Sequence, residues 1–160
     1  MKIDVRDNNL IVFLNNKNIL GIDFYNTREL EKYFRELFFK LSDDYSFDLS
    51  GSYNIDVFID RFGVVLEIEP IDSYYDCCDI VDMNITISKY KGFLYKSDCF
   101  IDVDCDVYLY DSSFYYEPLN VSFLDIGKLF ENCDIVYGFD VYDIKRNGKL
   151  LSRFVIDKLV

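Results

Sequence analysis

The 160 residues contain no histidine and no tryptophan. Without an imidazole there are no Ser-His or Cys-His nucleophilic pairs, no His-ligated zinc and no usual general base near neutral pH. Proline occurs twice and glycine seven times, too few for a long linker or a low-complexity arm. A phosphate loop is missing as well, because Gly127-Lys128-Leu129 lacks the glycines upstream that such a loop needs. The five cysteines, Cys77, Cys78, Cys99, Cys105 and Cys133, are odd in number and show no CxxC spacing. A secreted disulfide framework uses an even set, so all five are expected to be small buried hydrophobes in a reducing compartment. No apolar run approaches the roughly 18 to 20 residues that span a bilayer. Asp4 and Asp7 interrupt the place where a signal peptide would be apolar. The expectation is a cytoplasmic protein away from membranes.

What is present is apolar, aromatic and acidic. Hydrophobic residues make up 51% of the chain, with 15 Phe and 14 Tyr, so a core is within reach and sheet is favoured. The length fits a single compact domain over 1–160, with 1–70 and 80–160 as its sub-units if it divides. The net charge of −12 is uneven. Residues 1–61 hold eight basic and eleven acidic side chains, and residues 62–127 hold three and thirteen. Residues 128–160 hold six and five. Such a chain repels DNA, RNA and anionic membrane, and suits a protein partner with a basic surface.

The hydrophobic pattern gives an α+β fold, mostly antiparallel sheet with two helices, readable as two ββαββ-like halves. Two short strands flank a turn at Asp7-Asn8-Asn9. Leu30, Tyr33, Phe34, Leu37, Phe38 and Leu41 form one face of a helix over about 27–42. Asn26 is its cap, with Glu29 placed to return the bond; Glu31 with Arg35, and Glu36 with Lys40, are spaced to pair. Tyr53, Ile55, Val57 and Ile59 alternate with Asn54, Asp56, Phe58 and Asp60, and a turn at Arg61-Phe62-Gly63 leads into a second strand ended by Pro70. Val81, Met83, Ile85 and Ile87 alternate with Asp82, Asn84, Thr86 and Ser88, giving another strand. Residues 93–110 read as one bent strand or two. A second helix is expected over about 122–132, capped by Ser122, with Phe123, Ile126 and Phe130 inward. Two last strands, about 134–143 and 150–157, flank an Asn147-Gly148 hairpin turn.

Two acidic rows are the candidate partner-binding residues. If 98–106 is a strand, Asp98, Asp102, Asp104 and Asp106 point outward while Cys99, Ile101, Val103 and Cys105 point inward. Carboxylates two apart on one face sit roughly 6.6 Å from one another and repel, so a basic partner would relieve them. The same row also fits an edge strand guarded by charge. The second row, Asp72, Asp76, Asp79 and Asp82, surrounds Tyr74 and Tyr75, which offer contact area and a hydroxyl at low entropic cost; a solvated loop has the same composition. Asp102-x-Asp104-x-Asp106 opens like a calcium loop, but Val107 stands where glycine is needed and Ser113 where glutamate is needed. Cys77, Cys78, Cys99 and Cys105 match no familiar zinc spacing. Glu67 and Glu69 share a strand face, as paired surface acids commonly do. No catalytic residue, metal or cofactor is assigned.

An opening strand (MKIDV), then Asn9 followed by LIVFL, LGIDF at 20–24, an amphipathic helix, the acidic DDYSFDLSG turn and a hairpin together resemble the N-terminal domain of the MecA family of bacterial adaptors. The resemblance covers residues 1–70 and carries no catalytic or ligand motif. It implies a domain that holds a substrate protein, while a separate C-terminal domain of that family docks to a AAA+ unfoldase. The expected function is a non-enzymatic, acidic protein-binding regulator, adaptor-like in kind. The alternative is an acidic inhibitor, of the anti-CRISPR or DNA-mimic type, whose carboxylates imitate nucleic acid and block a basic groove.

Overall fold

Leu30, Phe34, Leu37, Phe38 and Leu41 are all buried on one side of the helix Thr27–Tyr45 (α1). Arg28 and Glu29 donate their backbone N–H groups to Asn26 Oδ1, so the expected cap forms. Its own amide, however, donates to the Asp23 carbonyl rather than to Glu29. On the wet side, Arg35 pairs with Glu31 at 2.7 Å. The computed structural model describes residues 1–45, 51–71, 82–119 and 121–151; the fold is α+β, with two sheets that are mostly antiparallel. The chain divides into two compact units, Met1–Lys89 and Tyr90–Val160, so the boundary falls well after residue 70.

In the first unit α1 covers a five-stranded sheet. The strands are Lys2–Arg6 (β1), Asn9–Asn15 (β2), Ser52–Asp60 (β3), Gly63–Ile71 (β4) and Asp82–Ile87 (β5), in the order β1-β2-β4-β3-β5. Leu10, Val12 and Leu14 of β2, Tyr53, Ile55 and Val57 of β3, and Val64, Leu66 and Ile68 of β4 pack against α1. Phe38 meets Tyr53 edge to face at 5.4 Å. β3 alternates because one face meets the helix, whereas Ile11 and Phe13 of β2 and Val65 of β4 are buried on the other face as well. β5 joins β3 in parallel, with Ser52 opposite Asp82 and Val57 opposite Ile87, and this is why the unit extends to Lys89. Pro70 does not end β4 as the sequence suggests; it sits inside the strand opposite Tyr53. Pairing of β4 with β2 stops at Ile68, so the position has a neighbour on one side only, where a missing N–H is tolerated.

The second unit has a sheet of Leu94–Ser97 (β6), Asp106–Tyr110 (β7), Ser113–Glu117 (β8), Asp134–Val136 (β9) and Lys149–Leu151 (β10), in the order β10-β7-β8-β6-β9. Its helices are Phe123–Asn132 (α2) and Phe139–Asn147 (α3). Val141 and Ile144 of α3 pack with Leu94 and Tyr115, flanked by Tyr108, Tyr110 and Val136. On α2, Ser122 caps as expected, its Oγ accepting from the Asp125 amide at 3.2 Å.

Three expectations fail here. The expected strand over 134–143 is a three-residue strand followed by α3, and Asn147-Gly148 is a helix end, not a hairpin turn. A type I′ turn needs positive φ at both residues, whereas Gly148 has φ −73 and donates its N–H to the Ile144 carbonyl. Residues 98–105 are likewise no strand. β6 and β7 are not neighbours; both pair with β8. The connection between them must therefore leave the sheet and cross to the far side of β8, and residues 98–105 do this.

Candidate partner-binding surface

That crossing connection is pinned at two points. The Ile101 N–H donates to the Tyr116 hydroxyl at 2.7 Å, and Phe100 meets Phe114 edge to face at 5.6 Å. Val103 is buried, and Asp98, Asp102, Asp104 and Asp106 stay exposed. The four carboxylates are thus brought to one segment, but without the even spacing of a strand face. Asp98 accepts a 2.8 Å bond from the Ser113 hydroxyl, tying it to the β7–β8 end of the sheet. Cys99 is exposed rather than inward, because the alternation that would have buried it is absent. Cys105 is half-buried and Cys133 is buried, as small apolar side chains.

Cys105, in the acidic connection, lies within the electrostatic reach of Asp125 on α2. Burial, followed by the carboxylates of Asp106, Asp104 and Asp125, pushes its thiol up to about 12. Asp125 lies in the first turn of α2, where it bonds Ser122 and Lys128, and these bonds hold its carboxyl below the usual value. On that same turn Phe123 is 96% exposed and Leu124 81%, with Leu119 just ahead at 47%. Phe123 was expected to point inward; Leu129 takes the buried position instead. A Phe and a Leu left in water at the start of a helix form an apolar patch, with the Asp125 carboxylate on the same turn.

The second row is only partly described. Asp72, Tyr74, Tyr75, Asp76 and Asp79 lie outside the described residues. Asp82 opens β5, exposed, with its N–H on the Gly51 carbonyl. Elsewhere in the first unit, Leu20 at 83%, Tyr25 at 86% and Phe39 at 72% are exposed, the first two in the segment leading into α1 and the third on it. Glu67 accepts from Asn9 Nδ2 at 3.1 Å across β2 and β4, a structural tie.

Among the described residues no three His, Cys, Asp or Glu side chains are grouped to hold a metal ion. No helix among them is long and apolar enough to cross a membrane. Sequence reasoning missed the Phe123-Leu124 patch and also a cleft on α3. The signals for α3 were there: Lys145 and Arg146 in a last turn, then Gly148, the usual signs of a helix C-terminus. No protein-family model matches the chain, and comparison with curated proteins and with solved structures gives no significant match.

Proposed function

We propose that this chain is a non-enzymatic protein-binding regulator, adaptor-like, working in a reducing cytoplasm on a partner with a basic surface. The observation that carries the reading is the exposed Phe123-Leu124 pair on the same helix turn as Asp125, whose carboxylate acts on Cys105 together with those of Asp104 and Asp106. Interfaces draw most of their energy from a few apolar anchors, and a charged rim selects the partner and speeds encounter. Burying Phe123 would contribute about 1.5 to 3 kcal/mol. The free thiols of Cys99, Cys105 and Cys133 suit the compartment. The adaptor reading gives the first unit the substrate, with Leu20, Tyr25 and Phe39 as its exposed apolar side chains.

An inhibitor that mimics nucleic acid would use the same aspartates but not Phe123. Capture from a bacterial lysate at low and high salt, with bound proteins identified by mass spectrometry, separates the two. The regulator reading expects a partner retained at high salt and lost with Phe123→Ala/Leu124→Ala. A nucleic-acid-processing protein recovered only at low salt, lost with Asp102→Asn/Asp104→Asn/Asp106→Asn and indifferent to Phe123, would establish mimicry instead.

A further inference from the structure

The second unit holds eleven carboxylates and six cations between Tyr90 and Leu151, yet one cleft on it has the opposite balance. Tyr142 and Arg146 stand one turn apart on α3 with Lys145 beside them, and Tyr90-Lys91 forms the facing wall. The cleft encloses about 460 Å³. Three of the six cations line it and none of the eleven carboxylates does. Its aromatic side is ordered by contact: Tyr90 meets Phe139 at 5.9 Å edge to face, and Phe139 meets Tyr142 at 6.1 Å. Lys145 is held in place by Glu117, whose other oxygen accepts from the Tyr108 hydroxyl. Lys91 and Arg146 form no ion pair among the described residues.

We infer that this cleft docks a short acidic peptide segment of another protein, extended along α3, with an aromatic or aliphatic side chain between carboxylates. Charge complementarity sets the sign of the ligand, because Lys91 and Arg146 are cations without a carboxylate in the cleft. Shape sets its form. The stretch from Gly138 to Arg146 spans about 12 Å at 1.5 Å per residue, the length of roughly four extended residues. Tyr90 and Tyr142 give a planar or branched side chain a surface to lie on. A nucleic-acid strand would run its next phosphates past the eleven carboxylates of the unit, whereas a peptide can end its charge where the cleft ends. The cleft is on α3 and shares no residue with the Phe123 surface on α2, so it stands or falls separately.

The test is fluorescence anisotropy with the full chain at low salt. The probe is a labelled octapeptide of alternating glutamate and tyrosine, compared with the same peptide carrying glutamine for glutamate. Expected is saturable binding of the acidic peptide, weakened about tenfold or more by Lys91→Glu/Arg146→Glu, by Tyr142→Ala, and by the glutamine peptide. Phe123→Ala should leave this binding unchanged, which keeps it distinct from the regulator reading. Lys91, Tyr142 and Arg146 are exposed, so the circular dichroism of these variants should match the parent. No binding by the parent chain, equal binding of the glutamine peptide, or no loss in the charge-reversed variant would overturn the inference. So would displacement of the peptide by an oligothymidylate of similar length.

Discussion

Asp111 and Ser112 both adopt left-handed backbone, with φ of 45° and 62°, in the two-residue turn that joins β7 to β8. A type I′ turn demands this, and glycine adopts it without the Cβ strain. Ser112→Gly should therefore raise stability by about 0.5 to 1 kcal/mol, read as a higher urea midpoint. The titrating side chains behind the acidic connection give a pH dependence. Burial and neighbouring carboxylates raise the Cys105 thiol from 9.0 to about 12, and burial with Glu117 raises the Tyr108 hydroxyl from 10.0 to about 12. Burial likewise raises Tyr116 to about 12, partly offset by the bond from Ile101. Between pH 9 and 12 the unfolded chain has released protons that the folded chain keeps, so stability falls as pH rises through that window. Urea titrations across it should show the midpoint dropping, and a flat response would remove these groups from the fold's balance. At neutral pH the same burial keeps Cys105 a thiol, so iodoacetamide should label exposed Cys99 before Cys105.

At the scale of elements, α1 holds the first unit together. Phe34 has no exposed surface and sits mid-helix against three strands, so Phe34→Ala should cost about 3 to 5 kcal/mol in a denaturant titration. Gly63 opens β4, where a Cβ would run into the Leu14 carbonyl oxygen and come within 2.9 Å of the Phe13 ring. Since backbone cannot yield as a flexible side chain can, Gly63→Ala should destabilise by about 1 to 3 kcal/mol, whereas Gly127→Ala, with open space around it, should not.

These elements also differ in how plainly the sequence shows them. α1 and the β3–β4 hairpin follow from periodicities that one buried face imposes on adjacent residues. Ser122 marks the start of α2 because a cap is local chemistry. The residues 98–105 are different: Cys99, Ile101, Val103 and Cys105 alternate as a strand would, but both ladder partners of β8 lie elsewhere, and only the sheet order reveals it. The parallel pairing of β5 with β3 has no local signature for the same reason. Residues 134–143 read as one strand because Ile135, Val136, Val141 and Tyr142 favour sheet, while the packing of Val141 on Leu94 and Tyr115 goes with helix from Phe139. Of the candidate site, the exposure of the four aspartates was legible from charge alone. The exposure of Phe123 was not, because a short helix can turn Leu129 inward and leave its first residues in water.

Across the whole molecule the charge is the leading feature, and net charge of this size bears on solubility and association rather than on the fold. Exposed carboxylates are screened within about 8 to 10 Å at physiological salt, so they set encounter rate, while a buried aromatic sets lifetime. That division separates a protein-binding regulator from a nucleic-acid mimic. The decisive measurement is the association and dissociation kinetics of the purified chain with its captured partner over a range of salt, for the parent and Phe123→Ala. Expected is a dissociation rate that rises about tenfold or more in Phe123→Ala and changes little with salt, while association slows as salt is raised. An affinity that collapses with salt and ignores Phe123→Ala would contradict the regulator reading and leave the aspartates alone as the binding surface.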